Sequence, residues 1–384
     1  MTQASSTTRR QWLAQAMAIS AAGWSGLARA GDGPEPIRLG QSIALTGPLG
    51  DLGLAIHQGA HACFQAVNAK GGINGRPIEL VAKDDSYDVK KSVEIVKGFV
   101  ADPAIFGLFS CMGTPMIEAL LPLIKNSDMP CFTPMTGATS ARPSDMRNVF
   151  NVRPTYPEEA ARLIQHLATI GHERVAIAYQ NNSFGKEVAA STEAAIKDYK
   201  LVPVTTAAIE NNGSGSKEAA ARIAASEPDA VLIGLASKPT IEFVKAIRAQ
   251  RRGLPLYTLS VFGSASILKA LGDEAYGIAV SQVVPLPSQS VLPVVRDFHN
   301  AWKATGTTME PSHLALEGYI NARVMVEALK RVGGLLRRAS FLEATWGLKR
   351  LDLGGYEISF EKPGRSASKF IELTLIGRSG KFIR

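Results

Sequence analysis

FSCMGTPMIEALLPLI, residues 109–124, changes character part-way along. Phe109 and Ser110 close the apolar run IFGLFS (105–110), which reads as a strand. MIEALLPLIKN (116–126) then repeats its apolar residues at helical spacing. Between them lie Ser110, Cys111, Met112, Gly113, Thr114 and Pro115. Thr114-Pro115 suits an N-cap followed by a first-turn residue, and Gly113 lets another group come close to the backbone. A strand, a small polar turn and a helix in that order are half of a parallel β-α-β unit. The turn either does no more than reverse the chain, or it presents a helix N-terminus to something bound.

The same unit recurs in both directions along the chain. Strand-like runs at 37–45, 78–84, 105–110 and 130–135 alternate with helix-like runs at 56–70, 89–101 and 116–126. The alternation restarts with a helix at 157–171 and strands at 174–181, 202–209, 230–236, 256–261 and 278–284. Helices at 186–199, 218–226 and 239–250 separate the earlier of these strands. A tail follows, with helices near 292–305, 312–332 and 340–346 and strands at 356–360 and 370–376. Alternation of this kind predicts two α/β units with parallel sheets covered on both faces. The join NVFNVRPTYPEEA (148–160) is short and lacks a Gly/Ser linker, and SQVVPLPS (281–288) reads as a second crossing, so a hinge is expected rather than a tether.

The 384 residues are 46% hydrophobic and 20% charged, ordinary for a soluble globular chain of two domains. Residues 1–30 carry Arg9, Arg10 and Arg29 and no acid, leaving 39 basic against 34 acidic residues, or +5. The basic residues are scattered and form no stripe with aromatics, so a nucleic-acid partner is not expected. Paired arginines in TTRRQWLA, a modestly apolar region to Leu27 and the small-x-small Ala28-Arg29-Ala30 predict a twin-arginine export leader. Cleavage near Ala30 would place the mature chain in the periplasm. Cys63, Cys111 and Cys131 are an odd set with no expected pairing, and three buried free thiols are predicted.

Catalytic patterns are missing. There is no G-x-x-x-x-G-K-[ST], no G-x-G-x-x-G after a strand and no G-x-S-x-G, and NNGSGSK (211–217) reads as a plain loop. His57 and His61 have metal-ligand spacing without a third ligand, and Asp84-Asp85 reads as a turn or cap. No enzyme activity, cofactor or metal is expected. What recurs is a strand ending in small or polar residues before a helix: TGPLGDLG (46–53), SCMGTP (110–115), PMTGAT (134–139), NNSFGK (181–186) and ASKPT (236–240). Ligands of open α/β sheets bind beyond such strand ends, where helix N-termini suit a carboxylate.

SIALTGPLGDLG, AVNAKGGINGRPIELVAKDD, FNVRPTYPEEA, AIAYQNNSFGKE, SQVVPLP and LEGYINARVMVEAL, in this order, resemble the type-I periplasmic solute-binding proteins. The nearest group is the leucine/isoleucine/valine-binding proteins of ABC importers, and the resemblance covers nearly all of 37–384. It implies a two-lobed α/β fold, each lobe a parallel-sheet three-layer sandwich, with three hinge crossings. The expected lobes are 31–151 plus 285–350, and 152–284 plus 351–384. The ligand would lie between them, and the lobes would close on it. Carried over by motif, Ser110, Met112, Gly113 and Thr114 match the stretch that meets a ligand carboxylate, with Met135 and Thr136 beside it. Tyr156 joins the set, Phe184 falls where a Tyr covers the ligand, and Ala236-Ser237 falls near a second aromatic contact. The acidic residue that meets an α-ammonium in that group falls on Ser260 or Val261 here, and no Asp or Glu lies between Glu242 and Asp273. The group's disulfide positions fall near Tyr87 and Ser110, so that bridge is absent. The expectation is a receptor for a small carboxylate-bearing ligand: a branched-chain or aromatic acid, amino acid or amide. Its partner would be the membrane permease of an ABC importer, and it would act as a monomer. The alternative is a sensory protein of the same fold that feeds a signalling partner.

Overall fold

A computed structural model describes residues 34–262 and 265–384. The expected leader, with Arg9, Arg10 and the cleavage point near Ala30, lies outside the described residues. From Ile37 the chain runs β1 (Ile37–Ile43), α1 (Gly50–Asn68), β2 (Ile78–Asp84), α2 (Val89–Ala101), β3 (Ile105–Phe109), α3 (Thr114–Ile124), β4 (Cys131–Phe132) and β5 (Val149–Phe150). These strands form one parallel sheet in the order β2-β1-β3-β4-β5. The apolar residues of its inner strands are mostly buried, as a sheet covered by helices on both faces requires, while Leu80 and Val81 of the edge strand β2 are half-buried.

The chain then crosses to a second sheet. α4 (Tyr156–Thr169) starts with a capping box between Thr155 and Glu158 and Pro157 in its first turn. It leads to β6 (Arg174–Gln180), α5 (Ser183–Asp198), β7 (Val202–Ile209), α6 (Ser216–Ala225), β8 (Ala230–Gly234), α7 (Lys238–Gln250), β9 (Leu256–Thr258), α8 (Ala265–Leu271) and β10 (Ile278–Gln282). After β10 the chain returns. α9 (Pro293–Ala304), α10 (His313–Lys330) and α11 (Arg338–Trp346) join the first lobe, with α9 and α10 against α1. A two-stranded ribbon, β11 (Leu351–Asp352) and β12 (Glu357–Ile358), precedes the last crossing. β13 (Glu372–Ile376) joins the second sheet antiparallel to β10 and β14 (Phe382–Ile383) pairs antiparallel with β13, giving the order β14-β13-β10-β9-β8-β6-β7. The expected two-lobed α/β architecture with three crossings is therefore present.

Four local expectations change. The first helix starts at Gly50, not near Ile56, so half of TGPLGDLG is helical. Gly53 permits this: a Cβ there would lie 1.8 Å from the Ala44 carbonyl oxygen. The strand expected at 130–135 is only Cys131–Phe132, because Thr133 turns to φ +50°. Thr114 is not the N-cap of its helix. Gly113, at φ +103°, takes that position and Thr114 is the first helical residue. Last, residues 351–360 do not belong to the second lobe. Leu353, Tyr356, Ile358 and Phe360 are buried in the same core as Phe132, Phe150 and Phe341, so the third crossing falls between Phe360 and Glu372. Rings of Phe132, Phe150, Phe341 and Phe360 pack at centroid distances of 5.6–6.3 Å, which holds this segment to the first lobe.

The three cysteines are free and buried as expected. Burial pushes the Cys63 and Cys111 thiols up to about 12. Among the described residues no helix is long and apolar enough to cross a membrane.

Candidate ligand-binding site

The loops at the carboxyl ends of the parallel strands of both sheets face each other, and a narrow cavity lies between them. Three loops of the first lobe build one side. Asp84, at the end of β2, accepts from the backbone N–H groups of Leu45 at 2.8 Å, Thr46 at 3.2 Å and Ser86 at 2.9 Å, and from the Thr46 hydroxyl at 2.5 Å. Burial alone would raise its pKa, but these hydrogen bonds hold it well below the usual carboxylate range. Asp85 accepts from the Ser42 hydroxyl at 2.8 Å and the Tyr87 N–H at 2.9 Å. The expected turn role of Asp84-Asp85 is thus realised as a clamp between two loops. It sets Leu49, Leu52 and Ile56 on one wall and Tyr87 on the next.

The stretch that opened the sequence forms the third loop. Met112 N–H donates to Ser42 O at 3.1 Å, Gly113 N–H to Met135 O at 3.2 Å, and Met135 N–H to Cys111 O at 2.8 Å. An isolated parallel bridge pairs Met112 with Met135 beyond the ends of β3 and β4. Both methionine side chains, Gly113 and Thr114 therefore share the cavity wall. The Thr114 hydroxyl meets the Thr136 hydroxyl at 2.7 Å and is 1% exposed. With Gly113 as cap, Thr114 and Met116 carry first-turn N–H groups that have no carbonyl one helical turn earlier, and Pro115 carries none.

The second lobe closes the other side. Tyr156 begins α4, and its N–H donates to Gly137 O at 2.8 Å. A Cβ at Gly137 would lie 2.5 Å from the Tyr156 ring, so only glycine lets the ring sit there. Phe184, in the first turn of α5, packs edge-on against Tyr156 at 5.2 Å. Ala236 follows β8 and Val261 follows β9.

Of the residues expected at the site, Met112, Gly113, Thr114, Met135, Tyr156, Phe184, Ala236 and Val261 come together on this one cavity. Four others stand behind it. Ser110, at φ +43°, pairs with the Thr133 hydroxyl at 2.8 Å. Thr136 supports Thr114. The Ser237 hydroxyl donates to Asp51, and the Ser260 hydroxyl meets Arg153. Leu49, Leu52, Ile56 and Tyr87 line the cavity without having been expected there. Leu49, Leu52 and Ile56 already stand at helical spacing, but Gly50 and Gly53 make the segment read as a loop.

The lining is aliphatic and aromatic, with hydroxyls of Thr114, Tyr87 and Tyr156 and no ionised side chain. Burial holds the Tyr87 hydroxyl well above the usual tyrosine range, so it stays neutral. His57 and His61 do not join the cavity. Their rings stack 6.4 Å apart on α1, and His57 Nδ1 pairs with Gln41 Oε1 at 2.8 Å. Among the described residues no group of three His, Cys, Asp or Glu side chains is placed to hold a metal ion. The geometry suits enclosure of a small, mostly apolar solute.

Residues 36–372 match the family model described as periplasmic binding protein. The chain belongs to that family. Its relatives include Leu/Ile/Val-binding protein homologues. It is 23% identical to the Leu/Ile/Val-binding protein homolog 7 of Brucella melitensis, over 80% of each chain. A substrate-binding periplasmic protein from Ralstonia solanacearum is 31% identical, with a TM-score of 0.85 over 90% of this chain and 99% of that one. A solute-binding protein of an ABC transporter from R. palustris, solved in complex with benzoate, shares the fold at a TM-score of 0.79. It is 18% identical, over 91% of this chain and 95% of its own. Members of the family are solute-binding receptors, which agrees with a cavity enclosed between two lobes.

Proposed function

We propose that the protein is an exported, non-enzymatic receptor that captures a small carboxylate-bearing molecule in this cavity and delivers it to the permease of an ABC importer. One observation carries the ligand class. The lining combines the start of α3, with its free first-turn N–H groups and the Thr114 hydroxyl, with apolar and aromatic walls and no charged side chain. A helix N-terminus offers partial positive charge and charge-assisted hydrogen bonds to a carboxylate without a buried cation. An α-ammonium would find no carboxylate partner on the lining and would be costly to bury. The ligand is therefore a branched or aromatic acid whose amino group, where present, is dispensable.

Calorimetry on the mature protein tests this with benzoate, phenylacetate and 4-methylpentanoate against phenylalanine and leucine. Benzoate is included because the R. palustris relative was solved with it. The deaminated acids should bind at least as tightly as the amino acids. Binding of the amino acids alone would overturn the ligand class.

A further inference from the structure

The cavity walls rest on a buried ionic cluster that takes no part in lining them. Arg153, in the first crossing, is 3% exposed. Its guanidinium reaches Glu159 Oε1 at 3.1 Å and Glu317 Oε1 at 3.5 Å. Glu159 lies on α4 in the second lobe, and Glu317 lies on α10, which packs on α1 in the first. Each lobe thus sends one carboxylate to an arginine held between them. Glu159 is well supplied, because its Oε2 accepts from Ser260 N–H at 2.9 Å and the Ser281 hydroxyl at 2.7 Å. Glu317 is not. Its Oε1 has no hydrogen-bond partner, nor does Arg153 Nε.

One guanidinium facing two carboxylates leaves one negative charge uncompensated when all three are ionised. A dry site resists such a charge, and the worse-supplied carboxylate is where a proton relieves it. Burial, the largest influence on Glu317, raises its pKa to about 7, with Arg153 lowering it and Glu159 raising it. The cluster also abuts the cavity. Arg153 Nη1 lies 3.8 Å from Met135 Sδ and its Cζ 5.8 Å from the Tyr156 ring centre, and both of those side chains line the cavity.

We propose that Glu317 is a proton-binding site linked to the ligand site, so that an anionic ligand favours the protonated form and draws a proton from solvent onto Glu317 in those molecules where it was ionised. The inference rests on the reading that the ligand is a carboxylate. With Glu317 protonated, Arg153 and Glu159 balance and the ligand meets a neutral cluster. With Glu317 ionised, an anion in the cavity faces an uncompensated negative charge one side chain away. At an effective dielectric of about 20 such a charge weakens binding on the order of ten-fold. Linkage is reciprocal, so a bound anion raises the proton affinity of Glu317 by the same factor. The proton comes from solvent, and no covalent bond changes.

Neighbouring groups do not supply the effect. Arg142 donates to the carbonyls of Ala138 and Arg153 and stays charged. Burial keeps the Tyr356 hydroxyl neutral, and it donates to Val283 O at 3.1 Å. His313, one turn earlier on α10, is pushed down to about 3 by burial. On α1, burial lowers His57, and His61 is exposed. Asp297 of α9 pairs with Arg323 at 3.3 Å.

Calorimetry with benzoate, which stays ionised throughout, should be run at pH 6 and pH 8.5, and at pH 7 in phosphate and in Tris. The wild type should bind about ten-fold more weakly at pH 8.5, and the difference between buffers should report proton uptake at pH 7. Glu317→Gln should bind equally at both pH values and take up no proton. The wild-type comparison stands alone should the variant not fold. Equal wild-type affinity at the two pH values, or proton uptake that survives in Glu317→Gln, overturns the linkage and leaves the ligand reading standing. If neither benzoate, phenylacetate nor 4-methylpentanoate binds at either pH, the ligand reading falls and the linkage falls with it.

Discussion

At Thr114 the reading from sequence was right about place and wrong about role. Thr-Pro before an apolar-periodic run is a good cap signal. The structure instead uses Gly113 as the cap, because φ +103° is a conformation that a side chain rarely adopts. This frees the Thr114 hydroxyl for Thr136, within a wall of the cavity. Thr114→Val keeps the volume and removes the hydroxyl, leaving a buried polar partner short of one bond. Binding of the carboxylate probe should weaken about ten-fold or more, since about 1.4 kcal/mol is a decade. Unchanged affinity by calorimetry would remove Thr114 from the site. Glu317 yields a second expectation at this scale, one that needs no ligand. Its folded pKa, about 7, lies above the ordinary glutamate value of 4.5, so the folded state binds the proton more tightly. The associated stability is complete below about pH 4.5 and is lost as pH rises toward 7, by roughly 3 kcal/mol over that window. Urea titrations from pH 5 to pH 8 should show that decline in the wild type and a flatter profile in Glu317→Gln. Parallel profiles would mean that Glu317 does not carry the proton.

Among the elements, the helix pair α1–α10 depends most on residues that look like defects. Gly59 and Gly318 sit inside helices, where glycine is unfavourable by about 0.8–1.0 kcal/mol relative to alanine. Yet a Cβ at Gly59 would lie 1.8 Å from Ala315 O, and one at Gly318 would lie 2.1 Å from Ile56 O. The two helices touch backbone to backbone, and any side chain must push them apart. Either alanine substitution should therefore destabilise by about 3 kcal/mol or more despite the gain in propensity. The double variant should cost less than the two singles together, because one displacement of α1 relieves both clashes. Denaturant unfolding of the singles and the double measures this, and a stabilised Gly59→Ala would refute the packing argument. The same glycines show why the elements were only partly readable. Long runs such as RVAIAYQN and PTIEFVKAIRAQ announce themselves by period. Gly50 and Gly53 hide the start of α1, and with it Leu49, Leu52 and Ile56 of the cavity. β4 and β5 have two residues each, too few for any period to show.

For the whole molecule, the alternation of strands and helices was enough to foresee two parallel-sheet lobes, and the order of motifs placed most of the cavity wall. The Arg153, Glu159 and Glu317 cluster was not readable. Its members lie in three segments that meet only because the chain crosses between the lobes. The third crossing was misplaced because YEISF has the pattern of a sheet strand, while its burial is against Phe132, Phe150 and Phe341. Several contacts exist only because the lobes are together. Asp51 on α1 accepts from the hydroxyls of Ser237 and, at 3.3 Å, Ser266. Glu187 on α5 accepts from the Thr139 N–H at 2.6 Å and its hydroxyl at 2.8 Å. Hydrogen bonds to a charged partner contribute about 1.5–3 kcal/mol when shielded and less where water competes, as it does here. They can still decide the balance between open and closed forms, because ligand affinity scales with the fraction already competent to bind. Asp51→Ala combined with Glu187→Ala should enlarge the radius of gyration of the ligand-free protein in small-angle scattering. Saturating carboxylate should restore the compact value, at an affinity about ten-fold weaker or more. Neither residue lines the cavity, so the loss must come from closure rather than from contact with the ligand. An unchanged radius and an unchanged affinity in the double variant would show that the cavity walls, and not these two carboxylates, hold the lobes together.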